Sequence, residues 1–441
     1  MGILDYFRLL YHRRYYSKKH IEKYQLKDIK HMVEYARKHS PFYRRLYEGY
    51  SVESFEDFHK LPVINKQIMM DHFSELNTAG VDKDDVLAYA VDKEINKDYY
   101  GYYNDQFVVG LSSGTSGNKG IYLTPKSLTK RLPFVFLARS GLKLRKMPFR
   151  ILFLLRVFSQ GFEDINAPFV SLKYMSTMTA VDDIIEKINR DRINIIMAPP
   201  SLLRQVMPKA GYIETKIKQI VTYAEVLHEE DKRQFEEAFH TKVIEIYQAS
   251  EGQMASACKH GHLHINEDLV YIEIYDDHNH MIKEDNVVGH KMMITNLVNK
   301  AQPLIRYEMN DMIVLDQACR CGSAFRRIKK VLGRHDDLLY FLDANNKQKV
   351  IYPDLFVRWI IVTSDLIREF QVVQNNINTL DITVDLLKQD DHVIDQLTDK
   401  LQKELVQYDI HHVKINISVQ DIKLPEEKNK FKRFISHIAK N

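Results

Sequence analysis

The chain has 441 residues, of which 45% are hydrophobic and 28% are charged, proportions that are ordinary for a globular protein. At about 150 residues per domain, this length corresponds to roughly three folding units. The net charge of +4 argues against a nucleic-acid partner, which would need a concentrated basic patch. The longest apolar run, ILFLLRVF (151–158), contains Arg156 and is far too short to span a membrane. With only three cysteines, and with no secretory signal expected, the composition predicts a cytoplasmic protein.

The first hundred residues carry apolar and basic residues at helical spacing, which predicts a helical N-terminal segment over about residues 1–100. Its stretch FRLLYHRRYYSKKH (7–20) is compatible with an acidic membrane surface. The preferred interpretation is an amphipathic helix whose Tyr and Leu side chains face the main core while Lys and Arg stay solvated.

After residue 106, short β-rich runs alternate with helical ones, which predicts a mostly parallel sheet with helices on both faces. Two further runs, LVYIEIYDD and HKMMITNL, alternate apolar with polar residues as antiparallel strands do. From about Leu338 we expect a smaller α+β unit with three strands, a helix near 391–407 and a hairpin turn at NNIN (375–378). The β-rich runs of the first group are FVVGL, RILFLL, RINIIMA, KQIVTYA and KVIEIYQA.

The stretch LSSGTSGNKGIYL (111–123) places a Gly/Ser/Thr-rich loop between two apolar runs. Such a loop offers backbone N–H groups and hydroxyls that converge on an anion, and phosphate is the natural ligand. The spacing does not match a Walker loop, and an ordinary polar turn is the alternative. The candidate phosphate-binding residues are Ser112, Ser113, Gly114, Thr115, Ser116, Gly117 and Lys119.

Four stretches, in this order along the chain, resemble motifs of the adenylate-forming superfamily of acyl- and aryl-CoA ligases: SSGTSGNKG (112–120), IYQASEG (246–252), LIRYEMND (304–311) and GRHDD (333–337). HSPFYRRLY and LPVINK resemble the phenylacetate–CoA ligase branch of that superfamily. TYAEVL and YQASEG are most similar to relatives of synthetases that adenylylate a deazaflavin coenzyme.

The resemblance implies ATP and Mg²⁺ as cofactors, with Glu251 as the Mg²⁺ ligand. It also implies that the loop hydroxyls contact the β- and γ-phosphates, that Tyr247 stacks on adenine and that Asp311 receives the ribose hydroxyls. Arg334 would reach the ribose and phosphate side. The remaining residues that the resemblance places around the nucleotide are Ala224, Glu225, Gln248, Ala249 and Ser250.

The resemblance also implies a mobile C-terminal domain that rotates about a hinge at Asp336, so we predict domains at 1–336 and 337–441. The lysine that promotes adenylation would be Lys430, in NKFKRF, where Asn429 stands in place of the family's Gly. A solvated, charged tail is the alternative reading of this stretch. The segment after the hinge lacks the Gly-bearing turn of the family, which puts the transfer to CoA in question.

The three cysteines suggest a metal site, because Cys319 and Cys321 form a CRCG pair and Cys258 opens CKHGHLH. Three thiols and one His would complete a tetrahedral structural zinc site. Relatives in the phenylacetate–CoA ligase branch can carry such a zinc, and the resemblance implies His264 as the fourth ligand. His260 and His262 compete for that place, and three buried free thiols are the alternative.

The function expected from this resemblance is ATP-dependent activation of an aryl or fatty acid as its acyl-adenylate, with release of pyrophosphate and transfer to a thiol, CoA above all. The acid pocket would lie between MAPPSLL (197–203), TYAEV (222–226) and YQASEG. A homodimer is compatible with the sequence. The alternatives are a nucleotidyltransferase that leaves AMP on a hydroxyl or phenol, and a nucleotide-binding module without turnover.

Overall fold

The computed structural model describes residues 2–96, 101–111, 120–142, 147–155, 169–177, 179–334, 337–361, 363–364, 366–422 and 432–438. The α-helices within these ranges are α1 (Gly2–Tyr15), α2 (Lys18–His39), α3 (Pro41–Leu46), α4 (Phe55–His59), α5 (Lys66–Asp71), α6 (Phe73–Leu76), α7 (Lys83–Ile95), α8 (Lys126–Thr129), α9 (Leu132–Arg139), α10 (Val181–Arg190), α11 (Pro200–Val206), α12 (Glu229–Phe239), α13 (Pro353–Ile361) and α14 (Asp391–Gln407), and a 3-10 helix spans Met207–Tyr212.

The strands in the same ranges are β1 (Phe107–Leu111), β2 (Ile121–Pro125), β3 (Phe149–Leu155), β4 (Val170–Ser176), β5 (Ile195–Met197), β6 (Gln219–Thr222), β7 (Val243–Ala249), β8 (Gly252–Ala257), β9 (Leu263–Ile265), β10 (Val270–Tyr275), β11 (Val288–Gly289), β12 (Lys291–Asn296), β13 (Tyr307–Met309), β14 (Asp311–Asp316), β15 (Arg327–Arg334), β16 (Leu339–Leu342), β17 (Gln348–Ile351), β18 (Ile367–Asn376), β19 (Thr379–Leu386), β20 (Lys414–Val419) and β21 (Phe434–Ser436). The predicted fold class, a large α/β unit with a helical N-terminal segment and a smaller C-terminal α+β unit, is confirmed.

The helical N-terminal segment comprises α1 to α7, as the sequence predicts. Its longest helix, α2, is capped by the hydroxyl of Ser17, which accepts a hydrogen bond from the backbone N–H of His20. Its buried positions recur every three or four residues, so one face of the helix packs on the core. These buried positions are Ile21, Gln25, Ile29, Met32, Val33 and Ala36.

The segment is fastened to the rest of the chain by Arg306, which lies in the LIRYEMND motif. This buried side chain forms a two-pronged ion pair with Glu273 at 3.0 and 3.1 Å. It also donates to the backbone carbonyls of His59 and Leu61, beside the LPVINK stretch. An arginine of the motif is therefore used to join two parts of the fold.

A ten-stranded sheet runs through the large unit in the order β11-β14-β15-β9-β8-β7-β6-β5-β3-β4. From β4 to β7 its neighbouring strands are parallel, and from β7 onward they are antiparallel. Helices α10, α11 and α12 bury their apolar sides against the parallel half, where Ile184, Leu203 and Phe235 are buried. The predicted parallel sheet is thus one half of a mixed sheet.

The FVVGL run forms a strand, as predicted, but the prediction that it belongs to the parallel sheet is wrong. Strand β1 pairs with β2 in a separate antiparallel sheet of two strands. The nine residues between them, 112–120, are too few for the helical crossover that a parallel neighbour requires. A three-stranded antiparallel sheet, β10-β12-β13, contains the LVYIEIYDD and HKMMITNL runs, as predicted.

The C-terminal unit has its own four-stranded sheet, in the order β20-β19-β18-β21, which is covered by α13 and α14. Its buried apolar side chains form a cluster that runs from Leu339 to Phe434 and includes Trp359. The predicted helix and the hairpin between β18 and β19 are both present. The predicted hinge, Asp336, lies outside the described residues, so the boundary at 336 stays a prediction.

An ionic network joins the C-terminal unit to the large unit. Arg204 of α11 donates to Asp231 of α12 at 2.6 Å and to Glu369 of β18 at 3.1 Å. Arg433 donates to both oxygens of Glu369 at 2.8 and 2.9 Å. The side chains of Arg204, Asp231 and Glu369 are each at most 4% exposed. Removal of one member would therefore leave a buried charge without its partner.

We expect Glu369→Ala to destabilise the C-terminal unit by about 3 kcal/mol or more, because two guanidinium groups lose their shared carboxylate. Trp359 is the only tryptophan of the chain and lies in the core of this unit, so its fluorescence reports the unfolding of this unit in denaturant. The control is Glu404→Ala, which removes a surface pair with Lys400 and should cost about 0.5 kcal/mol or less. Equal denaturant midpoints of unfolding for the two variants would contradict the stabilising role of Glu369.

Candidate active site

Glu251 lies in the tight turn between β7 and β8. The residue that follows, Gly252, is closely surrounded, because a Cβ there would lie 3.2 Å from Val270 and 3.3 Å from Asn296 and from Ile294. The amide of Asn296 donates to the backbone carbonyl of Glu251 at 2.8 Å. The turn is therefore pressed against the β10-β12 sheet and the carboxylate has a fixed place.

The carboxylate of Glu251 accepts a hydrogen bond from the hydroxyl of Tyr122 at 2.7 Å. That hydroxyl lies 3.1 Å from the hydroxyl of Tyr307. Burial raises the pKa of Tyr122, and the nearby negative charge of Glu251 raises it further, so Tyr122 keeps its proton and acts as a donor. Sequence reasoning missed both tyrosines, although Tyr122 lies two residues after the SSGTSGNKG motif and Tyr307 lies within the LIRYEMND motif.

Tyr122 also joins Glu251 to the predicted phosphate loop. Strands β1 and β2 pair with Leu111 opposite Ile121, so the two ends of the loop meet one residue before Tyr122. Seven predicted phosphate-binding residues of the loop lie outside the described residues, as do the hinge residue Asp336 and Lys430. These seven are Ser112, Ser113, Gly114, Thr115, Ser116, Gly117 and Lys119.

Asp311 and Arg334 are brought opposite each other by the pairing of β14 with β15. Their side chains are 3.9 Å apart, measured from Arg334 Nε to Asp311 Oδ1. The Arg334 side chain is 45% exposed; its partial desolvation acts to lower its pKa, but the carboxylates of Asp311 and Glu251 raise it overall. Burial raises the pKa of Tyr247, on β7, and the charges of Asp311 and Glu251 raise it further, so this side chain lies near both carboxylates. Four residues predicted from three separate motifs thus lie together.

A cation that sequence reasoning missed also lies at this place. Lys66, the last residue of LPVINK and the first residue of α5, is half-buried. Burial lowers the pKa of Lys66; the charge of Glu251 opposes this shift and that of Arg334 adds to it. Lys66 is therefore within electrostatic range of both groups. Its position in the LPVINK motif was the available signal, but the motif alone does not indicate a role.

The segment predicted to line the nucleotide base follows β6. Ala224 has a positive φ of 66°, which is uncommon for a residue with a side chain, and it is exposed. The carboxylate of Glu225 accepts hydrogen bonds from the backbone N–H and the hydroxyl of Ser201 at 2.9 and 2.7 Å. This contact brings MAPPSLL and TYAEV together, as expected, and directs the Glu225 side chain to the first turn of α11. Of the neighbouring candidates, Gln248 and Ser250 are exposed and Ala249 is partly buried.

The three cysteines and one histidine form a compact cluster. The ligand atoms of Cys258, His264, Cys319 and Cys321 all lie within 4.8 Å of one another. The sulfurs of Cys258 and Cys319 are 3.9 Å apart. Two sulfurs that share a tetrahedral zinc with bonds of about 2.3 Å are about 3.8 Å apart, so the donor set fits zinc.

His264 is oriented for metal binding. Its Nδ1 lies 2.8 Å from the backbone carbonyl of Phe325, which fixes the ring so that Nε2 points to Cys321, 3.6 Å away. His262 also approaches the cluster, with Nδ1 at 3.1 Å from Cys319. Burial would raise the pKa of Cys258, but hydrogen bonds from His264 and from the backbone lower it to about 5, which favours the thiolate that binds metal.

Comparison with known proteins agrees with the motifs. No protein-family model matches the chain. The chain is 25% identical, over 374 residues, to a phenylacetate-coenzyme A ligase of Thermus thermophilus, an alignment that covers 80% of this chain and 78% of that protein. The structure is similar to that of 2-hydroxyisobutyryl-CoA ligase in its postadenylation state, with a TM-score of 0.72, 17% identity, and coverage of 97% of this chain and 91% of that chain. An anthranilate CoA ligase in complex with anthranoyl-AMP matches with a TM-score of 0.53 and 14% identity, over 74% and 65% of the two chains.

The fold is that of the adenylate-forming ligases. Within this class, the resemblance to the phenylacetate–CoA ligase branch is confirmed. The TM-score against 2-hydroxyisobutyryl-CoA ligase in its thioesterification state is 0.60, lower than the 0.72 obtained for the postadenylation state. The overall structure is thus more similar to the postadenylation structure.

We expect the purified protein to hold about one zinc ion per chain, measured by elemental analysis after gel filtration without chelator. The double variant Cys319→Ser, Cys321→Ser and the single variant His264→Ala should lose the metal. The matched control is His260→Ala, because His260 is exposed and outside the cluster. Zinc that survives His264→Ala but is lost in His262→Ala would assign the fourth ligand to His262 instead.

Proposed function

We propose that the protein activates a carboxylic acid with ATP, forms an acyl-adenylate with release of pyrophosphate, and transfers the acyl group to the thiol of CoA. The observation that carries this proposal is the meeting of Glu251, Tyr247, Asp311 and Arg334, which come from separate motifs and lie on one sheet. Similarity to CoA ligases over most of the chain supports the same class of reaction.

In this proposal, the Glu251 carboxylate would be the protein ligand of Mg²⁺, which is typically held by one or two carboxylates and the phosphates of the nucleotide. Mg²⁺ would neutralise negative charge on those phosphates. Tyr122 acts as a positioning residue, because its hydrogen bond fixes the orientation of the Glu251 carboxylate. Leu111 and Ile121, which flank the predicted phosphate loop, pair one residue before this tyrosine, and this pairing supports the loop as the phosphate-binding element of the proposal.

Asp311 and Arg334 would receive the sugar. A carboxylate accepts two hydrogen bonds at once, which matches the paired hydroxyls of a ribose. Arg334 is already oriented by Asp311 and could reach the phosphate with its remaining donors. Tyr247 presents an aromatic ring next to both groups, and adenine can stack on it.

Two lysines are candidates for stabilising the charge that develops when the acid attacks the α-phosphate. Lys430 is implied by the resemblance, and Lys66 is placed near Glu251 and Arg334 by the fold. Lys66 belongs to the large unit, so it would stay at the site in any position of the C-terminal unit. We therefore propose that Lys66 assists adenylation together with Lys430.

The first test is ATP–pyrophosphate exchange with Mg²⁺, across a panel of aryl acids, short- and long-chain fatty acids, and phenols. Exchange that depends on one acid, together with a hydroxamate formed on addition of hydroxylamine, would support acyl-adenylate formation and identify the substrate class. Exchange with a phenol and no hydroxamate would overturn the proposal in favour of a nucleotidyltransferase. ATP binding without any exchange would favour a binding module.

We expect Asp311→Asn to weaken ATP binding about tenfold or more, because a charged acceptor for the ribose is lost. Isothermal titration of ATP into the protein measures the change. The matched control is Asp316→Asn at the other end of the same strand, where the carboxylate pairs with Arg327 at 3.1 Å. Both variants are checked by thermal unfolding, and equal ATP affinity in the two would refute the ribose role.

We expect Lys66→Met to slow the acid-dependent exchange by roughly a hundredfold while ATP affinity changes little, since the contact forms with the developing charge. The control is Lys60→Met, which changes an exposed lysine of the same segment that pairs with Glu56. Lys430→Ala, tested in parallel, separates the two lysines. Exchange at the wild-type rate in Lys66→Met would remove this residue from the proposal.

A further inference from the structure

Helix α1 carries a stripe of exposed apolar side chains. Leu4, Phe7, Tyr11 and Tyr15 are 74%, 56%, 57% and 60% exposed. With roughly 100° of rotation per residue, these four positions fall within an arc of about 80° on one face of the helix. Isolated exposed apolar residues are common on protein surfaces, but a continuous aromatic stripe along a helix indicates a contact surface.

The opposite face of α1 is anchored in the protein, so the helix cannot turn its stripe inward. Tyr6 and Leu9 are 7% and 1% exposed. The ring of His12 lies 3.1 Å from the buried carboxylate of Asp268. Arg13 donates to the backbone carbonyl of Ser256 at 3.0 Å. The stripe therefore points permanently outward on a rigid support.

Basic side chains border this stripe. By helical rotation, Arg8 lies next to it on one side and Arg14 on the other. Arg14 is exposed and lies over the ring of Tyr15 at 5.4 Å. Lys18 and Lys19, just beyond the helix, are exposed too. The only acidic residue between positions 2 and 19 is Asp5, which is buried and paired with Arg8.

We propose that this face of α1 docks on the surface of an anionic lipid bilayer. Phenylalanine and leucine would enter the boundary between headgroups and acyl chains, and tyrosines would lie at the headgroup level with their hydroxyls in water. The arginines and lysines would contact anionic headgroups. Among the described residues, no helix is long and apolar enough to cross a membrane, so the contact is peripheral.

The basic border of the stripe argues against a second copy of the chain as the partner that covers it. In a two-fold interface the same surface meets itself, so Arg8, Arg14, Lys18 and Lys19 of one copy would face the same residues of the other. Like charges placed against each other oppose association. An anionic surface is instead complementary to both parts of the pattern, the apolar stripe and its basic border.

The test is sedimentation of the full chain with two kinds of vesicle, phosphatidylcholine alone and an equimolar mixture of phosphatidylcholine and phosphatidylglycerol. We expect binding to the mixed vesicles that is at least tenfold stronger than binding to the neutral ones. The preference should fall as salt is raised, since headgroup attraction is screened within a Debye length.

Two sets of variants separate the apolar and the charged contributions. The triple variant Phe7→Ser, Tyr11→Ser, Tyr15→Ser should lower binding to mixed vesicles at least tenfold, since it removes most of the apolar surface that inserts. Lys18→Glu with Lys19→Glu should lower it by a similar factor, and acidic residues at the start of α2 also suit the helix dipole. The matched control is Phe169→Ser with Tyr212→Ser, two aromatics that are 65% and 72% exposed outside α1.

Two kinds of result would overturn the proposal. The first is vesicle binding without the expected dependence, that is, equal binding to neutral and mixed vesicles or binding that the triple variant leaves intact. The second is an absence of vesicle binding together with a dimer, seen by light scattering, that the triple variant converts to monomer, which would assign the stripe to a second copy of the chain. Circular dichroism and thermal unfolding of each variant check that the overall fold is retained.

Discussion

The candidate active site depends on the hydrogen bonding of strand β7, where the central sheet changes from parallel to antiparallel pairing. On one side β7 pairs in parallel with β6, and on the other it turns back sharply into β8. The turn carries Glu251, and the antiparallel half continues to the strands that hold Asp311 and Arg334. A shift in the register of this one strand would move Tyr247 and Glu251 away from the two residues they face.

Much of this arrangement could be predicted because local patterns agree with the fold. Helix α14 spans Asp391–Gln407, the range expected from the sequence, since its apolar period and flanking turns are clear. The FVVGL run was assigned to the wrong sheet, because a strand's composition does not reveal its partner. Only the short connection to Ile121 limits it to a hairpin.

The parts of the site that could not be predicted are those that depend on distant contacts. Tyr122 reads as an ordinary strand residue until it is placed against Glu251, 129 positions away. Lys66 likewise gains meaning only beside Glu251 and Arg334. The cysteine and histidine cluster could be predicted from the sequence, because two closely spaced thiols stand out in a chain with three cysteines. The contact with Phe325, which favours His264 over His262 as the fourth ligand, is not visible in the sequence.

The anchoring of α1 and of the following helices has a consequence for how the protein is made. His12 rests on Asp268, 256 residues later in the chain, and Arg306 reaches back across 247 residues to His59. At about 5–20 residues per second, the N-terminal helices wait on the order of ten to fifty seconds on the ribosome before these partners emerge. During that time both faces of α1 are exposed. The nascent chain therefore presents more apolar surface for chaperones to cover than the folded protein does.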